Sequence, residues 1–186
     1  MSESVVFIGD GLSAGARWDE WFPEYAVHNL GVNGDTTDEV IARLDLVVDL
    51  APDAVVLQVG TNDVGWRRSD EYIVRNIETI MCSLRKPMPT TRLLVQSVPP
   101  REPDFVELLR SINRHVRQFA PTVKARYLDL WPALADSDGG LSTSWSTDGL
   151  HLNEAGYGAW MAELRPALLD LFEHPPRTSS ITIQHA

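Results

Sequence analysis

The clearest chemistry in the chain is an aspartate three residues before a histidine, Asp148-Gly149-Leu150-His151. Across a tight turn that spacing lets the carboxylate reach the imidazole Nδ1, fix the tautomer and leave Nε2 as a general base. The same aspartate also suits the cap of a helix starting near Asn153, with His151 a surface residue. Asn62, in Gly60-Thr61-Asn62-Asp63, carries an amide that can donate to a developing oxyanion. The N–H of Gly34, in Gly31-Val32-Asn33-Gly34-Asp35-Thr36, can do the same, since a missing side chain permits close approach. Asn and Gly are also ordinary turn formers, so each alone says little. Together they describe a donor-lined pocket with an oriented base, lacking only a nucleophile. The remaining histidines, His28, His115, His174 and His185, are expected to have no such carboxylate partner.

These groups need a scaffold that brings them to one rim. Val5-Val6-Phe7-Ile8 reads as a short buried strand, and Gly9-Asp10-Gly11-Leu12-Ser13-Ala14-Gly15 as a tight turn into a helix. Further strands are expected at Tyr25–Asn29, Ala54–Val59, Leu93–Gln96 and Ala125–Asp129. Helical spacing links Val40, Ile41, Leu44, Val47 and Val48 in one helix closed by Pro52. The same spacing marks helices at Ile73–Leu84, at Phe105–Phe119 and at Trp160–Leu171, where Pro166 should kink or split the last one. Five strands separated by helices imply an α/β fold, a five-stranded parallel sheet covered on both faces in three α/β/α layers. In such sheets chemistry sits outside the carboxyl ends of the strands, which is where every polar, glycine-bearing segment named above falls.

The chain has 186 residues and a formal charge of −10, enough for one domain with a sizeable core. Residues 1–174 are expected to form that domain and 175–186 a polar tail. In the tail, Ile181-Thr182-Ile183 has the pattern to join a sheet edge, its own or a partner's, which makes a homodimer plausible. The acidic balance, with no Lys/Arg stripe, argues against nucleic acid. No apolar run reaches the ~20 residues of a membrane span, and no basic-then-apolar leader opens the chain. The single cysteine, Cys82, is expected as a core thiol. A cytoplasmic enzyme or binding protein without a cofactor fits this set. Gly9-x-Gly11-x-x-x-Gly15 loosely matches a dinucleotide-binding turn, but Asp10 would set a carboxylate against the pyrophosphate. No His/Cys/carboxylate group has metal-ligand spacing, so no metal is expected.

Four blocks in order resemble the SGNH (GDSL-type) hydrolases, single-domain α/β esterases and lipases with a flavodoxin-like sheet. The blocks are Gly9-Asp10-Gly11, Gly34, Gly60-Thr61-Asn62-Asp63 and Asp148-Gly149-Leu150-His151, and the resemblance covers about residues 5–172. It implies His151 as base, Asp148 as its orienting acid, and the N–H groups of Gly11 and Gly34 with Asn62 as oxyanion donors. The implied activity is carboxylic ester hydrolysis on a small-molecule ester, with small acyl groups favoured because no insertion is available for a lid. Asp10, Asp63, Trp66, Arg67 and Trp145 are expected to contact substrate, the aromatic rings by stacking and the cation by pairing.

The departure falls on the nucleophile, because Gly11 stands where the family has serine. Loss of a catalytic serine costs on the order of a millionfold in rate. The preferred reading is a Ser→Gly replacement introduced to keep substrate intact. The alternatives are a natural relative that binds an ester or sugar without cleaving it, or Ser13 as a displaced nucleophile. Two residues along the chain moves the attacking atom by several ångströms, and ~1 Å is already costly.

Overall fold

A computed structural model describes residues 2–175. Its five strands are β1 (Ser4–Gly9), β2 (Ala26–Gly31), β3 (Ala54–Gln58), β4 (Arg92–Gln96) and β5 (Ala125–Leu128). They pair in parallel throughout, in the order β2-β1-β3-β4-β5. After β1 come α1 (Gly11–Ala14) and α2 (Trp18–Trp21); after β2, α3 (Thr37–Ala42) and α4 (Leu44–Leu50); after β3, α5 (Thr61–Gly65) and α6 (Asp70–Arg85). Then α7 (Val106–Phe119) follows β4, and α8 (Trp131–Leu134) and α9 (Glu154–Glu173) follow β5.

The central strands are apolar along their length because both faces of the sheet are covered. Alternation sends Val6, Ile8, Val55, Leu57, Leu93 and Val95 to one face, against Val40, Val47, Ile77, Ile80 and Ile112. Val5, Phe7, Ala54, Val56 and Leu94 face the other side, against Trp18, Phe22, Trp160 and Leu164. Phe7 stacks on Trp18 with ring centroids 4.3 Å apart, and Trp160 meets Trp18 edge-on at 5.4 Å. Side chains of this size contribute up to about 3 kcal/mol each on burial. Trp160 keeps its indole N–H satisfied by donating to Gln96 Oε1 at 2.6 Å.

The chain leaves β1 toward β2 on one side, then crosses to place β3 on the other. This reversal opens a crevice beyond the carboxyl ends of β1 and β3, the usual ligand position in such sheets.

Three expectations need correction. The helix expected through Val40–Val48 is two helices, broken at Arg43. There the guanidinium turns inward, donating to Asp35 Oδ2 at 2.7 Å, Leu30 O at 2.6 Å and Gly9 O at 2.9 Å. Secondly, Pro166 does not split α9, which runs through it. Pro166 and Ala162, whose carbonyl loses its partner four residues on, both face solvent, so water satisfies the freed oxygen. Finally, Cys82 is exposed, because α6 buries Ile73, Ile77, Ile80, Met81 and Leu84 and turns residue 82 outward. No helix among the described residues is long and apolar enough to cross a membrane. The Ile181-Thr182-Ile183 segment lies outside the described residues.

Candidate active site

The first segment of the site is the turn after β1. Asp10 caps α1, its Oδ1 accepting from the Leu12 N–H at 3.0 Å. Its Oδ2 lies 3.4 Å from Gln58 Nε2. The carboxyl is fully buried, and burial, reinforced by Asp63 and Asp35, pushes its pKa up to about 7. Gly11 is the first residue of α1, so its N–H has no acceptor within that helix. Ser13 is buried beneath this turn, its hydroxyl 3.5 Å from Gln58 Oε1. It faces away from the cavity, which removes the displaced-nucleophile reading.

The segment after β2 places Gly34 at φ +85°, a left-handed conformation, with open space where a side chain would stand. The backbone carbonyl of Asp35, next along, accepts from Asn62 Nδ2 at 2.8 Å. That bond orients the Asn62 amide and leaves its second N–H to point elsewhere. Asn62 itself sits in the first turn of α5, directly after β3 and Gly60.

The last segment is a loop braced on itself. His151 Nδ1 lies 2.7 Å from Asp148 Oδ2. Asp148 Oδ1 accepts from the His151 N–H at 2.8 Å, the Leu150 N–H at 3.0 Å and the Ser146 hydroxyl at 3.0 Å. The bond from the His151 ring, then these others, hold the Asp148 carboxyl far below the usual carboxylate range. Capping of α9 falls instead to Asn153, whose side chain accepts from the Gly156 N–H at 2.8 Å. Asp148 is therefore free to serve the imidazole. With the Nδ1 proton engaged, Nε2 is left as the acceptor.

Asp10, Gly11, Gly34, Asn62 and His151 line one open cavity of about 470 Å³, beside Asn33, Thr61 and Tyr157. An ionised Asp148 on the His151 ring and N–H groups from three strand ends form a set suited to general-base attack on a carbonyl. Among the described residues no cluster of His, Cys, Asp or Glu could hold a metal ion.

The structure moves several expected contacts off the site. Asp63 is completely buried and turned away, accepting from the Thr37 N–H at 2.9 Å, Thr37 Oγ1 at 2.7 Å and Arg68 Nη1 at 2.9 Å. Trp66 is 75% exposed, and Arg67 follows in a left-handed turn with φ +58°; neither lines the cavity. Their neighbour Arg68 pairs with Asp38 and Asp63, drawing this loop toward α3. Trp145 donates its indole N–H to Ala133 O at 3.0 Å and packs on the core, outside the cavity. His174 does have a carboxylate partner, Asp170 Oδ1 at 2.9 Å, but one turn back on the exposed end of α9.

Sequence reasoning missed Tyr157. Its hydroxyl donates to Leu12 O at 2.9 Å, tying α9 to the turn that carries Gly11. Burial, with the charge of Asp10, pushes the phenol up to about 12. The signal was its place one turn before Trp160, on the same helix face. Asn33 was missed as well, although the glycine-flanked segment that holds it was already on the rim.

A family model described as GDSL-like lipase/acylhydrolase matches residues 7–159. The platelet-activating factor acetylhydrolase IB subunit alpha1 of Bos taurus is 32% identical over 178 residues, covering 90% of this chain and 75% of that protein. The alpha2 subunit of Rattus norvegicus is 28% identical, covering 96% of this chain and 82% of that one. Among solved structures, a GDSL-like lipase of Bacteroides thetaiotaomicron superposes with a TM-score of 0.75 at 23% identity, over 91% of this chain and 89% of that one. At that identity the likeness speaks for the fold.

Proposed function

The chain belongs to the GDSL-like lipase/acylhydrolase family, and from that membership we propose that its cavity is a carboxylic ester site for small acyl groups, held here without its nucleophile. The observation that carries the reading is the 2.7 Å pairing of His151 Nδ1 with Asp148, on the rim of the cavity that Gly11, Gly34 and Asn62 also line. With serine at position 11, His151 Nε2 takes the hydroxyl proton and the oxygen attacks the ester carbonyl. The oxyanion is met by the N–H groups of residues 11 and 34 and by the Asn62 amide, and water then releases the acid. The cavity is open and holds about 470 Å³, which accommodates a short acyl group; relatives named acetylhydrolases are in keeping with that.

Position 11 accepts a side chain. Its φ lies outside the left-handed region, and the three atoms nearest a Cβ there all belong to Asn33, whose Oδ1 at 2.8 Å is the end of a flexible side chain that can shift aside. The same contact favours a second reading, a natural binding protein in which Asn33 fills the space a serine would take. Hydrolysis of a short-chain aryl ester by this chain and by Gly11→Ser, each with and without His151→Ala, decides between them. The ester reading expects a large gain in the serine form that His151→Ala abolishes. No turnover in either the parent or Gly11→Ser, with the ester still bound, turns the assignment to a binding protein.

A further inference from the structure

Resting on the ester reading above, we propose that the chain with Gly11 hydrolyses its ester by a single displacement at the carbonyl, with no acyl-protein stage, using water held beside Gly11 against Asn33 and activated by His151. A water that attacks needs two acceptors for its protons and a lone pair left for the carbonyl carbon. Both acceptors are present on the cavity wall. Asn33 Oδ1 lies 2.8 Å from the point where a Cβ on Gly11 would be, and the next nearest atoms there are also of Asn33, at 3.6 and 3.7 Å. The Asn33 side chain makes no hydrogen bond to protein among the described residues, so its amide oxygen keeps its full accepting capacity. His151 Nε2 is the second acceptor, since Nδ1 is engaged by Asp148.

The side chains of the turn after β1 do not compete for this role. Ser13 is buried against Gln58, and both carboxyl oxygens of Asp10 are engaged, by the Leu12 N–H and by Gln58. In the step, the water oxygen bonds to the carbonyl carbon while the carbonyl π pair moves onto oxygen, and one water proton passes to Nε2. Collapse of the tetrahedral intermediate breaks the bond to the alkoxy oxygen, which leaves with the proton from Nε2. Ester and water give acid and alcohol, and no acyl group is ever attached to the protein. This water needs glycine at position 11, because a methyl group there, 2.8 Å from Asn33 Oδ1, crowds it out.

The test uses p-nitrophenyl acetate, rapid mixing and peptide-mapping mass spectrometry on the parent chain and on Gly11→Ala, Asn33→Ala, His151→Ala and Gly11→Ser. General-base catalysis is typically worth about 10²-fold or more. The parent is therefore expected to release nitrophenolate about 10²-fold faster than His151→Ala, with no burst and no acetylated cavity residue. Gly11→Ala is expected to fall to the His151→Ala level, and Asn33→Ala toward it. A parent rate equal to that of His151→Ala, full activity in Gly11→Ala, or an acetyl group mapped to a cavity residue of the parent protein, apart from direct acetylation of exposed Cys82 and lysines, each overturns the proposal. If Gly11→Ser shows a His151-dependent burst while the parent stays at background, single-displacement hydrolysis fails and the ester site stands. If neither exceeds background, the ester reading fails too.

Discussion

Replacing Asp10 by Asn is expected to stabilise the protein above neutral pH and to leave it unchanged near pH 4. The buried carboxyl titrates near 7, against 3.8 for the ordinary group. Its pKa is raised in the folded state, so between these values the native protein holds a proton that the unfolded chain has released. Stability therefore falls as pH rises through that window and levels off above it. About three pH units at roughly 1.4 kcal/mol each bring the cost to about 4 kcal/mol at pH 8. Asparagine avoids it, because its amide oxygen still caps the Leu12 N–H and its NH₂ meets Gln58 after an amide turn. Urea unfolding of both proteins from pH 4 to pH 9 measures the difference directly. Taking the difference cancels the carboxylates whose pKa values are lowered, such as Asp53 and Asp70, which weaken both proteins alike in acid. A gap between the two curves that stays constant across the whole range refutes the argument.

Two other perturbations separate positioning from structure. In the Gly11→Ser background, Asp148→Asn sets an NH₂ or a neutral oxygen against Nδ1 and loses control of the tautomer, which is expected to lower kcat by on the order of 10³-fold with little change in KM. Retention of kcat would show that Asp148 merely ties its loop. Asp63→Ala strips a buried carboxylate from Thr37 and Arg68 and should cost about 3 kcal/mol in urea unfolding, while KM for a short ester stays put; a raised KM at unchanged stability would restore Asp63 to the site.

The strands and the four rim segments were legible because each rests on a local signal: an apolar run, a glycine-bearing turn, or an acid and a base three residues apart. Asp148 and His151 were the plainest case, since their contact closes within one turn. The misplaced contacts share another cause. Asp63, Trp66 and Trp145 are near the site in sequence, yet their orientation is set by distant partners: Thr37 and Arg68 for the first, the Arg68 ion pairs for the second, Ala133 for the third. Arg43 shows the same limit. Its apolar neighbours have unbroken helical spacing, and only the carbonyls of Gly9 and Leu30, brought together by β1–β2 pairing, reveal why the helix stops.

That inward arginine lies behind one wall of the cavity and not the other. One guanidinium ties the ends of β1 and β2 together and grips Asp35, whose carbonyl in turn aims Asn62, so the electrophile-facing wall behaves as a single rigid jig. The base stands on a different mount, a loop closed by its own four short bonds to Asp148 and fixed to the body through Trp145 on Ala133, Ser142 on Leu134, and Asn153 at the start of α9. Replacing Arg43 is therefore expected to disturb the donor wall while the Asp148–His151 pair stays in place.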